Sequence, residues 1–197
     1  MKAGGGPVKL LCPRRFGDER GWFSETFNSA KAGAVGVNVT FVQDNHSMSR
    51  SAYVLRGLHF QTPPCGQDKL IRCVRGRIWD VAVDIRAGSP TFRRWVAAEL
   101  SAENGRQLFV PIGFAHGFLT LEPDTEVEYK VSSTYAPDHD GGLAWNDPDL
   151  AIAWPLDGKA PILSDKDARL PSLHRFDSPF PYDGQPLQDL PTEPLVP

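Results

Sequence analysis

The sequence predicts an all-β domain whose short strands close into a sandwich or barrel. Two-residue alternation of apolar and polar side chains recurs from about residue 37 to 135, and Gly, Pro, Asn and Asp break it at short intervals. Helical periodicity is confined to two brief stretches. Many short, evenly punctuated strands bury one face each and pack as two layers.

Taken in order, the first helical candidate covers residues 24–32, ahead of the β region. The clearest pair of strands lies in residues 70–85, where Arg75-Gly76 turns one alternating run (Leu70, Arg72, Val74) into another (Trp79, Val81, Val83, Ile85), the pattern of a hairpin. Further strands are expected at 94–100, 107–111, 117–121 and 126–131. The turns between them are Ala87-Gly88-Ser89-Pro90, Glu103-Asn104-Gly105 and Glu122-Pro123-Asp124, residues that favour tight backbone reversal. A second helical candidate covers 165–170. Trp79, Trp95 and Trp145 read as core or interface. After His174 the chain becomes DSPFPYDGQPLQDLPTEPLVP, whose prolines and polar residues disfavour regular structure and suggest an extended or loose tail. The expected organisation is a single domain over residues 1–174 followed by a Pro-rich tail over 175–197.

A length of 197 residues with 41% apolar and 23% charged residues suits one soluble domain with a real core. The formal net charge of −3 argues against general affinity for nucleic acid, so an anionic ligand must be small. Cys12, Cys65 and Cys73 are odd in number and share no metal-ligand spacing, which points to a reducing compartment. The start MKAGGGPVK lacks the apolar run of a secretion signal, and no stretch approaches the ~20 apolar residues that span a bilayer. The chain reads as cytoplasmic, with no membrane partner.

The most specific local pattern is GRQLFVPIGFAH. Gly105, Pro111, Gly113 and His116 fit the second cupin motif: Gly, five residues, Pro, any residue, Gly, two residues, His. The resemblance implies a cupin barrel, a double-stranded β-helix or jelly roll with a few short helices. The glycines permit tight turns and the proline stiffens the strand entry, so His116 is presented to the interior by a defined backbone.

The first cupin motif is altered. It normally supplies His-x-His and then a Glu six residues before a Gly. Here GLHFQ gives His59 and Gln61 on one strand face, and Lys69 stands six residues before Gly76. A protonated ammonium does not ligate a divalent cation and repels one, so the expectation is no metal and no cofactor. A base beside a fixed positive charge instead suits removal of a proton α to a carbonyl: His59 takes the proton and Lys69 stabilises the enolate oxygen. Asp167 in LSDKDA is a candidate to orient His59. Tyr135, placed at the end of the last strand, is a candidate to deliver a proton from the opposite face.

RGLHFQ, KLIRCVRGRIWDVAVDIR, VPIGFAHGF, EYKVSSTYAPDHDGGLAWNDP and LSDKDA together resemble the dTDP-4-dehydrorhamnose 3,5-epimerase family, in order from about Pro13 to Leu170. DERGWFSETF and FVQDNHS match it too. The resemblance implies a metal-independent cupin that converts dTDP-4-dehydro-6-deoxy-D-glucose to dTDP-4-dehydro-L-rhamnose in deoxysugar biosynthesis. It places the base on His59, the acid on Tyr135 and the dyad carboxylate on Asp167. It also implies nucleotide-sugar contacts by Arg20, Glu25, Gln43, Asn45, Arg56, Lys69, His116 and Lys166. Arg20 and Arg56 suit a diphosphate, and Gln43 and Asn45 share strand parity. The family's N-terminal segment reaches the neighbouring subunit, which implies a homodimer in which Arg20 and Glu25 complete the partner's site.

Other readings stand beside these. Tyr135 could serve only to close the barrel and Asp167 to cap a short helix. Phe114 and Phe118, on the same strand face as His116, read as core in preference to a ligand stack. The same base and acid serve relatives that epimerise C3 or C5 alone. A catalytically silent sugar-nucleotide-binding cupin and a metal-dependent cupin oxygenase or isomerase complete the alternatives.

Overall fold

The structure, a computed structural model, describes residues 6–191 and 194–196. Part of the glycine-rich start and of the extreme C-terminus lies outside the described residues. Twelve strands dominate: β1 (Lys9–Leu11), β2 (Arg15–Asp18), β3 (Gly21–Ser24), β4 (Gln43–Ser49), β5 (Leu55–Gln61), β6 (Lys69–Arg75), β7 (Arg77–Asp84), β8 (Trp95–Ser101), β9 (Gln107–Val110), β10 (Phe114–Thr120), β11 (Thr125–Val131) and β12 (Asp140–Gly142). Two five-stranded antiparallel sheets, in the orders β1-β9-β6-β11-β4 and β12-β5-β10-β7-β8, face each other, and β2-β3 forms a separate hairpin. This is the jelly-roll cupin barrel that the sequence predicts.

The apparent hairpin at residues 70–85 is not one. Both strands form, but β6 pairs with β9 and β11 in the first sheet, whereas β7 pairs with β8 and β10 in the second. Gly76, at φ +74, carries the chain across from one sheet to the other. β7 is buried along most of its length and β6 along its inward face, and each takes two strand neighbours in its own sheet. Ile71 and Cys73 of β6 meet Ile78 and Ala82 of β7 in the barrel interior, by packing and not by pairing. Alternation reports that a segment is a strand, and pairing is decided by which faces must be covered.

The interior cluster also holds Leu100, Leu108, Phe114, Phe118 and Val127. The outer face of the second sheet presents Val81, Val83 and Ile85, which pack against Leu58, Leu143 and Phe180. A smaller cluster under the N-terminal region joins Leu11, Leu70 and Phe109 to Ala32. Ala32 belongs to α1 (Ser29–Ala34), whose start is set by Asn28: its Oδ1 accepts from the Ala30 and Lys31 amides at 3.0 and 3.2 Å. The helix expected over 24–32 is therefore shorter and later, because Ser24 still belongs to β3. The second expected helix is a single 3-10 turn, Asp167–Arg169.

The tail is extended but not loose. The Ala87 amide donates to Phe180 O at 2.8 Å, Arg86 Nη1 donates to Asp183 at 2.7 Å, and the Leu187 amide donates to Thr91 Oγ1 at 2.8 Å. Phe180 and Leu187 are buried, Leu187 within the interior cluster. Farther on, Leu195 bridges to Leu11 of β1. Prolines remove ladder donors without preventing a chain from packing through its few apolar side chains.

Candidate active site

Strand β10 delivers His116 inward. Gly105 and Gly113 both take positive φ, at +64 and +92, so the turns on either side of β9 form as the motif requires. Phe114 and Phe118 join the interior core, in line with their simpler reading, although Phe118 also borders the cavity. His116 lies directly across from His59 of β5, and the β5–β10 register shifts immediately beyond them. A Cβ on Gly57 would sit 2.6 Å from Gly117 Cα and 2.8 Å from His116 O, so the close approach of the two backbones requires glycine there.

His59 Nε2 lies 2.5 Å from Asp167 Oδ1. The Ser164 hydroxyl donates to the other oxygen of Asp167 at 2.8 Å, and the Asp167 amide donates back to Ser164 Oγ at 3.1 Å. Burial raises the Asp167 pKa, but the hydrogen bonds from His59 and Ser164 outweigh burial and hold the carboxyl below its ordinary value. An ionised carboxylate only accepts, so His59 donates through Nε2–H and keeps its lone pair on Nδ1. Asp167 thus faces the imidazole and does not cap the 3-10 turn, whose flanking residue Lys166 makes no side-chain cap bond either.

His116 repeats the arrangement with a different carboxylate: its Nε2 is 2.5 Å from Asp80 Oδ1, and Asp80 is completely buried. The second oxygen, Asp80 Oδ2, has no protein partner among the described residues. Lys69 opens β6 in the opposite sheet and is buried, with its Nζ 3.4 Å from His59 O. Burial pushes the Lys69 pKa down to about 8, against the opposing pull of the Asp80 and Asp140 charges. At pH 7 it is still mostly an ammonium.

These groups line one hollow between the sheets, with volumes of about 270 Å³ around Arg56, His116 and Asp167 and about 220 Å³ around Gln43, Asn45 and Tyr135. His59, Lys69, Tyr129 and Lys166 border both parts. Arg56 is steadied by Ser49 Oγ at 3.2 Å and Met48 O at 3.3 Å. Gln43 donates to Asn45 Oδ1 at 2.8 Å, and the two side chains share a strand face. Lys166 pairs with Asp140, which also accepts from the Tyr135 hydroxyl at 3.1 Å.

Tyr135 is not at a strand end. It lies four residues past β11 in an exposed loop, because Ser132 leaves the sheet to bond Asp68: its hydroxyl donates to Asp68 Oδ2 at 2.9 Å and accepts from the Asp68 amide at 2.8 Å. Arg20 and Glu25 stand apart from the hollow within one chain. Arg20 pairs with Asp18 at 2.5 Å and Glu25 with Lys31 at 2.8 Å, at and beyond the β2-β3 hairpin. That hairpin leaves Phe16, Trp22 and Phe23 at 53%, 60% and 69% exposure, a large apolar surface for a monomer. Sequence reasoning missed Asp80, Tyr129, Asp140 and Ser164. Asp80 left a signal, since it interrupts the apolar run of β7 on the inward-facing parity of Ile78 and Ala82.

A cupin barrel that gathers a carboxylate-paired histidine, a buried lysine and a tyrosine hydroxyl around one hollow has the make-up of the isomerases that move protons beside a carbonyl. A family model described as dTDP-4-dehydrorhamnose 3,5-epimerase matches residues 6–175. The dTDP-4-dehydrorhamnose 3,5-epimerase of Sinorhizobium fredii is 52% identical over 175 residues, covering 89% of this chain and 89% of that protein. Among solved structures, the Bacillus anthracis dTDP-4-dehydrorhamnose 3,5-epimerase with TDP and PPi bound is 55% identical, with a TM-score of 0.82 over 84% of this chain and 94% of that one. The Legionella pneumophila dTDP-6-deoxy-D-glucose-3,5-epimerase in complex with dTDP-4-keto-L-rhamnose is 43% identical, with a TM-score of 0.85 over 90% and 94%. The chain belongs to the dTDP-4-dehydrorhamnose 3,5-epimerase family.

Proposed function

We propose that this chain converts dTDP-4-dehydro-6-deoxy-D-glucose to dTDP-4-dehydro-L-rhamnose, in the biosynthesis of a deoxysugar. The observation that carries the reading is the 2.5 Å bond between His59 and Asp167 in a hollow that also holds Lys69. His59 Nδ1 takes the proton from C5, and in a second round from C3. The C–H electron pair moves into the C4 carbonyl, forming an enolate whose oxygen Lys69 stabilises by charge. Tyr135 returns a proton to the opposite face of the carbon, the enolate collapses to the ketone, and solvent restores both groups. Arg56, Lys166, Gln43, Asn45 and His116 hold the nucleotide sugar.

The functional unit in this reading is a homodimer, with the β2-β3 hairpin carrying Arg20 and Glu25 into the partner's site. Its exposed Phe16, Trp22 and Phe23 support that exchange. No helix among the described residues is long and apolar enough to cross a membrane. Three unpaired cysteines suit a reducing compartment, and we place the enzyme in the cytoplasm.

The test is incubation with dTDP-4-dehydro-6-deoxy-D-glucose in heavy water, with C3 and C5 followed by NMR. Deuterium and inversion at both carbons are expected. Binding without exchange at either carbon defeats the proposal, and exchange at one carbon alone replaces it with a monoepimerase.

A further inference from the structure

We infer that Gln61 is a positioning residue for Tyr135, and that it couples proton removal to inversion. The inference rests on the proposed role of Tyr135 as the acid.

Gln61 is 4% exposed and its amide bonds two loop segments, the one after β5 and the one that carries Tyr135. Its Nε2 donates to Thr134 O at 3.3 Å and to Cys65 O at 2.7 Å, and its Oε1 accepts from the Ala136 amide at 2.8 Å. The side chain therefore grips the residue before Tyr135 and the residue after it. The backbone of Gln61 adds a third restraint, because Gln61 pairs with Asp140 of β12, and Asp140 accepts from the Tyr135 hydroxyl. The Tyr135 amide is tied separately to Gln43 Oε1 at 3.1 Å. An exposed loop would otherwise leave a tyrosine hydroxyl free to wander, and a displacement of about 1 Å in a reacting group costs up to ~10²-fold in rate. Gln61 also shares its strand face with His59, two residues away. One strand thus carries the base on its own side chain and holds the acid through its neighbour.

This division of labour separates two observables. Proton removal by His59 needs no tyrosine, and an enolate that His59 reprotonates on the same face gains deuterium without inverting. Gln61→Met keeps the volume and removes every amide bond to the loop. With dTDP-4-dehydro-6-deoxy-D-glucose in heavy water, deuterium entry is expected within about threefold of the parent, while kcat for inversion falls about 10- to 100-fold with little change in KM. Tyr135→Phe should then cost less in the Gln61→Met background than in the parent. Gln61→Glu, which keeps the acceptor for the Ala136 amide, should recover part of the loss, and it reads the same ratio should the Met variant not fold. Exchange and inversion that fall together, or that both stay at the parental level, overturn the assignment. Absence of exchange in the parent defeats the epimerase reading instead. The assignment is then decided by hydrogen exchange at the Tyr135 and Ala136 amides, and protection unchanged in Gln61→Met overturns it.

Discussion

His59 and His116 stand directly across from one another on β5 and β10, yet each turns its Nε2 to a different buried carboxylate, Asp167 in one case and Asp80 in the other, both at 2.5 Å. The pairs differ in access. Asp167 comes from a loop turn and its imidazole borders both parts of the hollow, whereas Asp80 lies wholly inside the barrel wall.

Asp167 fixes the tautomer that leaves a lone pair on His59. Asp167→Asn retains a partner of the same size but removes the fixed charge, and His59→Ala removes the base itself. Each is expected to slow deuterium entry at C3 and C5 by about 10²–10⁴-fold. NMR of the parent and variants checks this, and retention of parental exchange in Asp167→Asn dismisses the dyad.

With the role proposed for it, Lys69 should tie activity and stability to pH in opposite senses. Its pKa in the folded chain, about 8, lies below the ordinary 10.5. Between those values the unfolded chain binds a proton that the folded one does not, so this group makes stability rise with pH from about 8 to 10.5. In the proposed mechanism turnover uses the ammonium, and it should fall as pH rises through about 8. Urea midpoints and kcat measured over about pH 6–11, which spans that window, report both trends.

Asp80 supplies part of the field that keeps Lys69 charged. Asp80→Asn should therefore move the basic limb of the kcat profile to lower pH, while the acidic limb changes less. A limb left where it stands in the parent shows that Asp80 acts only on His116.

Gly57→Ala tests the backbone contact that sets the two histidines side by side. The new methyl meets Gly117 Cα at 2.6 Å, at a residue whose φ is +126. The expected loss of stability is roughly 2–4 kcal/mol, read from denaturant unfolding.

The fold class was legible because alternation and turn residues act locally, and the strands at β8, β9 and β11 lie within a residue or two of their sequence-based limits. Partners were less legible. Nothing in residues 70–85 records that β6 and β7 belong to opposite sheets, since that depends on β10 and β11, some forty residues later. The two histidines, Lys69, Lys166, Arg56 and Asp167 were visible in the motifs, whereas the carboxylates of Asp80 and Asp140 were missed. Ser164 and Tyr129 were not visible either, because a serine behind a carboxylate and a tyrosine lining a wall have no pattern of their own. Gln61 stood out only for what it replaced, because its reach to the loop around Tyr135 arises only when the chain is folded.

The return of the chain to its own beginning also matters for solubility. Strand β1 forms one edge of the first sheet, and Leu195 lies beside it, with the Leu195 amide donating to Leu10 O at 2.9 Å and the Cys12 amide donating to Leu195 O at 2.8 Å. An uncovered strand edge is a template for pairing with another chain. Leu195 thus shields part of that edge, and losing its bonds would leave the folded barrel prone to sticking to its own copies.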